Sequence, residues 1–107
     1  MPRGGEGEAR EFYDGLLGIH EVPKPADLAV RGGCWFEVGD LKIHLGVEEN
    51  FRPALKAHPA LLVEDLPSLI TELGAAGLSV ESKVVEDQIH AYIHDPFGNR
   101  IELLESR

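Results

Sequence analysis

Apolar residues recur with a helical period in two segments of the chain. The first, residues 8–18, ends at Gly18, a residue type that commonly ends helices. The second, residues 66–76, follows the capping residue Asp65 and ends before Gly77. The apolar stripes are Ala9, Phe12, Tyr13, Leu16 and Leu17 in the first segment, and Leu66, Leu69, Ile70 and Leu73 in the second. The pattern predicts two amphipathic helices, because these positions share one face at a period of about 3.6 residues.

Short apolar or alternating segments predict strands beside these helices. Residues 19–22 follow the first helix, and residues 78–80 follow the second. Residues 58–63, with the sequence His-Pro-Ala-Leu-Leu-Val, precede the second helix. Aliphatic runs of this length between turn-forming residues are typical of strands.

Two further pairs of segments predict β-hairpins, one in each half of the chain. Residues 34–38 and 41–45 flank Gly-Asp, a two-residue connection whose glycine permits a hairpin turn. Residues 90–94 and 100–104 flank Asp-Pro-Phe-Gly-Asn, which consists mostly of turn-forming residues. The loops at 23–33 and 82–88 carry no recognisable pattern, and we expect them to shape the choice of substrate.

The two halves of the chain repeat each other at an offset of about 58 residues. Leu-Gly-Ile at 17–19 corresponds to Ala-Gly-Leu at 76–78, and Ile-His-Leu at 43–45 corresponds to Ile-Glu-Leu at 101–103. The repeat predicts a single α+β domain, residues 1–107, made of module one (1–53) and module two (57–105). The strand 58–63 has no counterpart in module one, because its position would precede Met1. Module one is therefore predicted to lack its opening strand, unless the true start of the protein lies upstream of Met1.

The alternation of side chains along the predicted strands collects polar residues on the sheet face turned away from the helices. Imidazole and carboxylate groups from separate strands are ligands that Zn, Ni, Mn and Fe accept, and two His with one Glu leave coordination positions for a substrate. The same pattern also fits a polar sheet face exposed to water, and alternation alone does not choose between them. The residues on this face are Trp35, Glu37, His44, His58, His90, Tyr92, Arg100 and Glu102.

The charge and composition of the chain limit the kinds of molecule that the protein can bind. Asp and Glu number 19 against 10 Lys and Arg, which gives a net charge of −9. A chain this acidic, without a basic stripe, repels nucleic acid and anionic membranes. No apolar run approaches the roughly 18 residues of a membrane span. Cys34 is the only cysteine and is predicted to lie on the helix side as a small buried residue, so we expect no internal disulfide and a cytoplasmic protein.

Three sequence motifs resemble the vicinal oxygen chelate superfamily, which includes glyoxalase I, fosfomycin-resistance transferases, extradiol dioxygenases and bleomycin-resistance proteins. They are Ala-Arg-Glu-Phe-Tyr-Asp-Gly-Leu-Leu-Gly-Ile at 9–19, His-Pro-Ala-Leu-Leu-Val-Glu-Asp-Leu at 58–66 and Asp-Pro-Phe-Gly-Asn-Arg-Ile-Glu-Leu-Leu-Glu at 95–105. The resemblance implies two βαβββ modules whose sheets form a cup-like mixed sheet, commonly completed in a homodimer.

The resemblance also implies a ligand set. The metal-binding positions of the superfamily fall on His44, His58 and Glu102, and the fourth belongs to the strand that module one lacks. Loss of that strand would leave an open sheet edge beside residues 41–45, so we expect residues 1–5 or a second chain to cover it.

The implied function is binding of a divalent metal ion, Zn, Ni, Mn or Fe, and of a small substrate that chelates it through two neighbouring oxygens. In lyase or isomerase chemistry of the glyoxalase type, Glu102 would be the catalytic residue that moves a proton; extradiol dioxygenase chemistry would use Fe(II) on the same ligands. Tyr92, His90, Arg100 and Trp35 would bind the substrate. The alternatives are a metal-free drug-binding protein of the bleomycin-resistance type and a degenerate module that only dimerises.

Overall fold

The computed structural model describes residues 1–105, and the chain divides into two compact units, Met1–Arg52 and Pro53–Arg107. This boundary lies close to the predicted division between module one (1–53) and module two (57–105). None of the helices in the described residues is long and apolar enough to cross a membrane.

Unit one forms a three-stranded antiparallel sheet with the order β1-β2-β3. The β2–β3 hairpin has the predicted bounds, and Gly39 in its turn has a φ of 55°, a conformation that glycine adopts without strain. Its elements are α1 (Glu6–Ala9), a π-helical segment (Arg10–Leu16), β1 (His20–Val22), α2 (Ala26–Ala29), β2 (Cys34–Val38) and β3 (Leu41–Leu45).

Unit two forms a four-stranded mixed sheet with the order β4-β7-β6-β5, in which β4 runs parallel to β7. It is a complete βαβββ module. Its last three strands correspond to the three strands of unit one, and β4 has no counterpart there. The predicted α+β class is confirmed, and within residues 1–105 module one has no opening strand, as predicted. The elements are β4 (Ala60–Val63), α3 (Leu66–Ala75), β5 (Glu81–Val85), β6 (Gln88–His94) and β7 (Arg100–Glu105).

The two predicted helices form, but the first is wound differently from the expectation. Most of it is π-helical, and the backbone N–H of Leu17 donates to the carbonyl of Phe12 at 3.0 Å. Five-residue spacing of this kind is rare and widens the turn. Helix α3 begins as predicted, because Oδ1 of Asp65 accepts the backbone N–H of Ser68 at 3.1 Å.

The strands bury the residues that alternation predicted. In β6, Ala91 and Ile93 are fully buried, whereas His90 and Tyr92, which alternate with them, are partly exposed. In β2, Cys34 is buried on the sheet face that carries the π-helical segment. This burial raises the pKa of its thiol. The fully buried side chains are therefore on the helix side, and the polar set lies on the opposite face.

Three expectations about the connections are wrong. Residues 78–80 are not a strand, and the strand β5 begins only at residue 81. The expected loop 82–88 is instead most of the β5–β6 hairpin, whose turn residues Glu86 and Asp87 have φ values of 52° and 63°. The expected loop 23–33 contains the short helix α2. The hairpin carried no signal because all of β5 is exposed and its turn contains no glycine.

The N-terminus lies near the open edge of β3 but does not pair with this strand. The Met1 ammonium donates to the carbonyl of Gly46 at 2.8 Å, and the N–H of Glu48 donates to the carbonyl of Met1 at 3.0 Å. These contacts lie just beyond the last residue of β3. Residues 1–5 therefore do not cover β3 itself, and within residues 1–105 only β2 pairs with it.

Candidate functional site

The carboxylate of Glu102 lies between two imidazole rings in unit two. Its Oε1 is 2.8 Å from Nε2 of His58, and its Oε2 is 2.7 Å from Nδ1 of His90. The three side chains are between 13% and 23% exposed, so the cluster is largely shielded from solvent. Both oxygens of the carboxylate are thus occupied by imidazole nitrogens.

Strand pairing brings these three residues together. In the parallel pair, Ala60 of β4 lies opposite Glu102 of β7, and the N–H of Glu102 donates to the carbonyl of Pro59 at 3.0 Å. His58 therefore enters the sheet beside Glu102. On the other side, Tyr92 of β6 lies opposite Glu102, and His90 is two residues away on the same face.

A backbone carbonyl fixes the orientation of the His58 ring. Its Nδ1 is 2.7 Å from the carbonyl oxygen of Lys56, which can only accept a hydrogen bond, so Nδ1 carries a proton. The other nitrogen, Nε2, faces Glu102, and its hydrogen bond to the carboxylate requires a proton on that nitrogen. Without that proton, Nε2 presents a lone pair at the same place. An imidazole oriented by a backbone carbonyl on one nitrogen, so that the other nitrogen can bind an ion, is typical of metal-ligating histidines.

The two histidines also set the charge of Glu102. Hydrogen bonds from His58 and then His90 hold the pKa of the Glu102 carboxyl below its usual range. The group is consequently ionised near neutral pH. An ionised carboxylate beside an oriented imidazole can bind a cation or accept a proton.

Tyr92 lies beside this cluster with two cations over its ring. Its ring centroid is 5.9 Å from that of His58, and it lies 4.6 Å from Cζ of Arg100 and 5.2 Å from Nζ of Lys83. A cavity of about 310 Å³ opens here, lined by Glu81, Ser82, Lys83, Tyr92 and Arg100. Sequence reasoning missed Lys83, because it assigned that residue to a loop.

In unit one, Trp35 and His44 form a stacked pair on adjacent strands. Their ring centroids are 3.9 Å apart and their planes differ by 4°. They lie directly opposite each other in the β2–β3 register, so the stack fixes the His44 ring above the exposed sheet face. The roles of Trp35 in substrate binding and of His44 in a shared metal site stay predictions.

The donor set of unit two is compatible with a metal ion. Two ligand atoms with bonds of about 2.1 Å to one ion lie roughly 3 Å apart when they are neighbours in its coordination sphere. The 2.8 Å between Nε2 of His58 and Oε1 of Glu102 is close to that separation. Across residues 1–105, no group of three or more His, Cys, Asp or Glu side chains is placed to hold an ion. The pair thus fits part of a metal site, and the complete predicted set of His44, His58 and Glu102 stays a prediction.

Comparison with solved structures identifies the family. A glyoxalase family protein from Bacillus anthracis is 47% identical, with a TM-score of 0.95 over all of this chain and 88% of that chain. The chain belongs to the glyoxalase/bleomycin resistance/dioxygenase superfamily. This is the vicinal oxygen chelate superfamily to which the motifs pointed, so the resemblance is confirmed.

More distant members of the superfamily show the same fold. A glyoxalase/dioxygenase from Nostoc punctiforme is 20% identical, with a TM-score of 0.81 over all of this chain and 87% of that chain. A lactoylglutathione lyase from Agrobacterium tumefaciens is 19% identical, with a TM-score of 0.75 over 99% of this chain and 89% of that chain. No protein-family model and no curated protein matches the sequence.

The sequence assigned His90 a role in substrate binding, whereas the structure places it against Glu102. A signal for this contact was present in the hairpin. The five-residue turn at 95–99 pairs residue 94 with residue 100, which puts 92 opposite 102 and leaves His90 two positions away on the same face. His90 is therefore placed to position Glu102, in addition to any contact with a substrate.

Proposed function

We propose that this superfamily member is an enzyme that uses a divalent metal ion and acts on a small molecule with two neighbouring oxygens, in lyase, isomerase or dioxygenase chemistry. The observation that carries the proposal is the pair formed by His58 and Glu102. Its oriented Nε2 atom and ionised carboxylate combine the two donor types that borderline divalent ions accept.

His58 and Glu102 would hold the ion together with His44, and the ion would be Zn, Ni, Mn or Fe. When bound, such an ion supplies a Lewis acid for the two substrate oxygens. The nitrogen Nδ1 of His90 remains on Oε2 of Glu102 and restricts rotation of the carboxylate.

Glu102 is the residue we assign to proton transfer. Its ionised state near neutral pH makes Oε1 a proton acceptor. When Glu102 then gives up that proton, the two imidazoles stabilise the negative charge of its carboxylate. Tyr92 and Arg100 border the adjacent cavity and would orient the substrate. Trp35 would provide an aromatic wall beside His44.

We further propose that the protein is a cytoplasmic homodimer. The outer edge of β3 pairs with no other strand of residues 1–105, and an open strand edge is a template for pairing with another chain. The buried thiol of Cys34, the single cysteine of the sequence, is consistent with a reducing compartment.

The function is tested by loading the protein separately with Zn, Ni, Mn or Fe(II). Each form is assayed for lactoylglutathione lyase activity and, with Fe(II), for oxygen uptake with a catechol. We expect one metal to support turnover and Glu102→Gln to lose it. His94→Gln, at an exposed position on the same strand as His90, is the matched control and should retain activity. Absence of turnover with every metal in both assays would contradict these two reaction types.

A metal-free binding protein is the second candidate. The observation that favours it is the complete hydrogen bonding of Glu102, since His58 and His90 satisfy both carboxylate oxygens. A protein of this kind would bind a small molecule in the adjacent cavity with the same affinity before and after treatment with a chelator. The metalloenzyme instead predicts that chelation weakens substrate binding.

A further inference from the structure

We infer that Lys83 and Arg100 form an anion-binding subsite beside Glu102, which binds a carboxylate, phosphonate or phosphate group of the substrate. The inference rests on the proposed function for the identity of the ligand as a substrate. It narrows the substrate class to small molecules that carry an oxyanion as well as two neighbouring oxygens.

Register brings the two cations together from opposite edges of β6. Lys83 of β5 lies opposite His90, and Arg100 of β7 lies opposite His94. Tyr92 occupies the position between these two pairs, and both cations reach diagonally over its ring, at 5.2 Å and 4.6 Å. Strands on both sides of β6 thus bring positive charge to the ring of Tyr92, and Lys83 and Arg100 line the same cavity.

Neither of the two cations forms an ion pair with an acidic side chain of the described residues. Arg3 pairs with Glu49 and Arg10 pairs with Glu21, as expected in a chain with a net charge of −9. By contrast, no acidic side chain among residues 1–105 forms an ion pair with Lys83 or Arg100. Two cations without an ion-pair partner attract an anionic ligand to this cavity.

The chemistry of the pair suits an oxyanion. The planar guanidinium of Arg100 matches the two oxygens of a carboxylate or phosphoryl group, and the Lys83 ammonium adds a second charge. Glu81 also lines the cavity and opposes anion binding. The cavity therefore carries two positive charges against one negative charge.

The position of the cavity limits the size of the substrate. Arg100 and Glu102 are two residues apart on one face of β7, which corresponds to about 7 Å along a strand. A molecule of a few bonds can place its oxyanion at Arg100 and its neighbouring oxygens at Glu102. A substrate with its charged group at one end and two oxygens at the other fits this spacing.

The test is a titration of the isotopically labelled, metal-free protein with inorganic phosphate, with acetate and with neutral acetamide, at constant ionic strength. Binding is followed by the NMR signals of the Lys83 and Tyr92 amides and the Arg100 side chain. The variant is Lys83→Gln with Arg100→Gln. The matched control is Arg31→Gln with Lys42→Gln, which removes the same charge from exposed positions in unit one.

We expect saturable shifts with phosphate, acetate or both, and none with acetamide; the anion that binds identifies the group. The Lys83 and Arg100 variant should weaken binding by about tenfold or more, and the control by less than about twofold. Glu81→Gln should tighten binding, because it removes the opposing charge. No saturable shift with either anion, equal weakening in the control, or unchanged binding in Glu81→Gln would overturn the inference.

The result is independent of the metal site. Binding of these anions by a protein that binds no metal ion would refute the proposed enzyme and leave the subsite standing. Metal binding that persists in the Lys83 and Arg100 variant, without anion binding in the wild type, would refute the subsite and leave the enzyme standing.

Discussion

Nε2 of His58 lies 2.8 Å from Oε1 of Glu102, although the residues are 44 positions apart in the sequence. The contact depends on β4 running parallel to β7, since this pairing joins the first and last strands of the module. The intervening hairpin then supplies His90 to the other oxygen of Glu102. The cluster of His58, His90 and Glu102 is thus a direct product of βαβββ topology.

We predict that His90 stabilises the metal-binding position of Glu102. His90→Phe keeps the ring volume and removes the nitrogen that holds Oε2. Loss of such a partner should weaken affinity for a divalent ion by about 10- to 100-fold. Competition with a coloured chelator measures the affinity. His94→Phe, on the same strand and exposed, should leave the affinity unchanged, and equal affinities in both variants would show that His90 has no positioning role.

Asp95 should be important for the closing turn. It is buried, and its Oδ1 accepts the N–H groups of Phe97 and Asn99 at 2.9 Å each, while Oδ2 accepts Nδ2 of Asn99 at 2.8 Å. Asp95→Asn places an amide donor against the Asn99 amide. We expect a loss of about 1–3 kcal/mol in the free energy of unfolding, measured with urea. Asp40→Asn, in the exposed turn of the other hairpin, should have little effect; a similar loss there would contradict the explanation.

Gly33 is predicted to tolerate no side chain. Its φ is 86°, and an added Cβ would overlap the carbonyl oxygen of Leu45. Gly4 has a nearly equal φ of 85° with open space around the same position, so Gly4→Ala isolates the backbone strain. We expect Gly4→Ala to cost about 1–2 kcal/mol and Gly33→Ala clearly more, in thermal or urea unfolding. Equal losses would mean that the close approach to Leu45 is not a constraint.

The stability of unit one should depend on pH through Glu6. The N–H of Gly33 donates to Oε2 of Glu6 at 2.8 Å, and this bond holds the pKa of the Glu6 carboxyl below its ordinary value of 4.5. A lowered pKa stabilises the folded state above the ordinary value and loses that contribution as the pH falls through the folded-state value. The stability difference between the wild type and Glu6→Gln should therefore be constant above about pH 6 and shrink below about pH 4.5.

Glu8→Gln provides the control for this pH dependence. Glu8 is exposed in the same helical turn, so its replacement removes an equal charge without the bond to Gly33. Urea unfolding at a series of pH values measures both variants. A pH-independent difference between the wild type and Glu6→Gln would contradict the role of the bond.

Much of the fold could be predicted from the sequence, because buried strands alternate strictly. Ala91 and Ile93 are buried and His90 and Tyr92 face the cluster, as the alternation required. Strand β5 could not be predicted in the same way, since every residue in it is exposed and no apolar face marks its period. Its turn at Glu86-Asp87 uses left-handed backbone without glycine, so the usual hairpin signal is absent.

The site could be predicted as a face but not as a set of contacts. Alternation placed His58, His90 and Glu102 on one side of the sheet, whereas their contacts depend on the register between strands. That register is set by the parallel pairing of Ala60 with Glu102, which alternation does not specify. Lys83 was missed for a related reason, because its strand was taken for a loop.

The most direct test of the account is a calorimetric titration of the protein with Zn²⁺. The wild type should bind about one ion per chain, and His58→Ala and Glu102→Ala should each weaken binding by about tenfold or more, while both variants keep the wild-type circular dichroism spectrum. His20→Ala, which removes an exposed histidine from unit one, should bind as the wild type does. No stoichiometric binding by the wild type, or equal binding by all three variants, would contradict the claim that His58 and Glu102 bind a common ion.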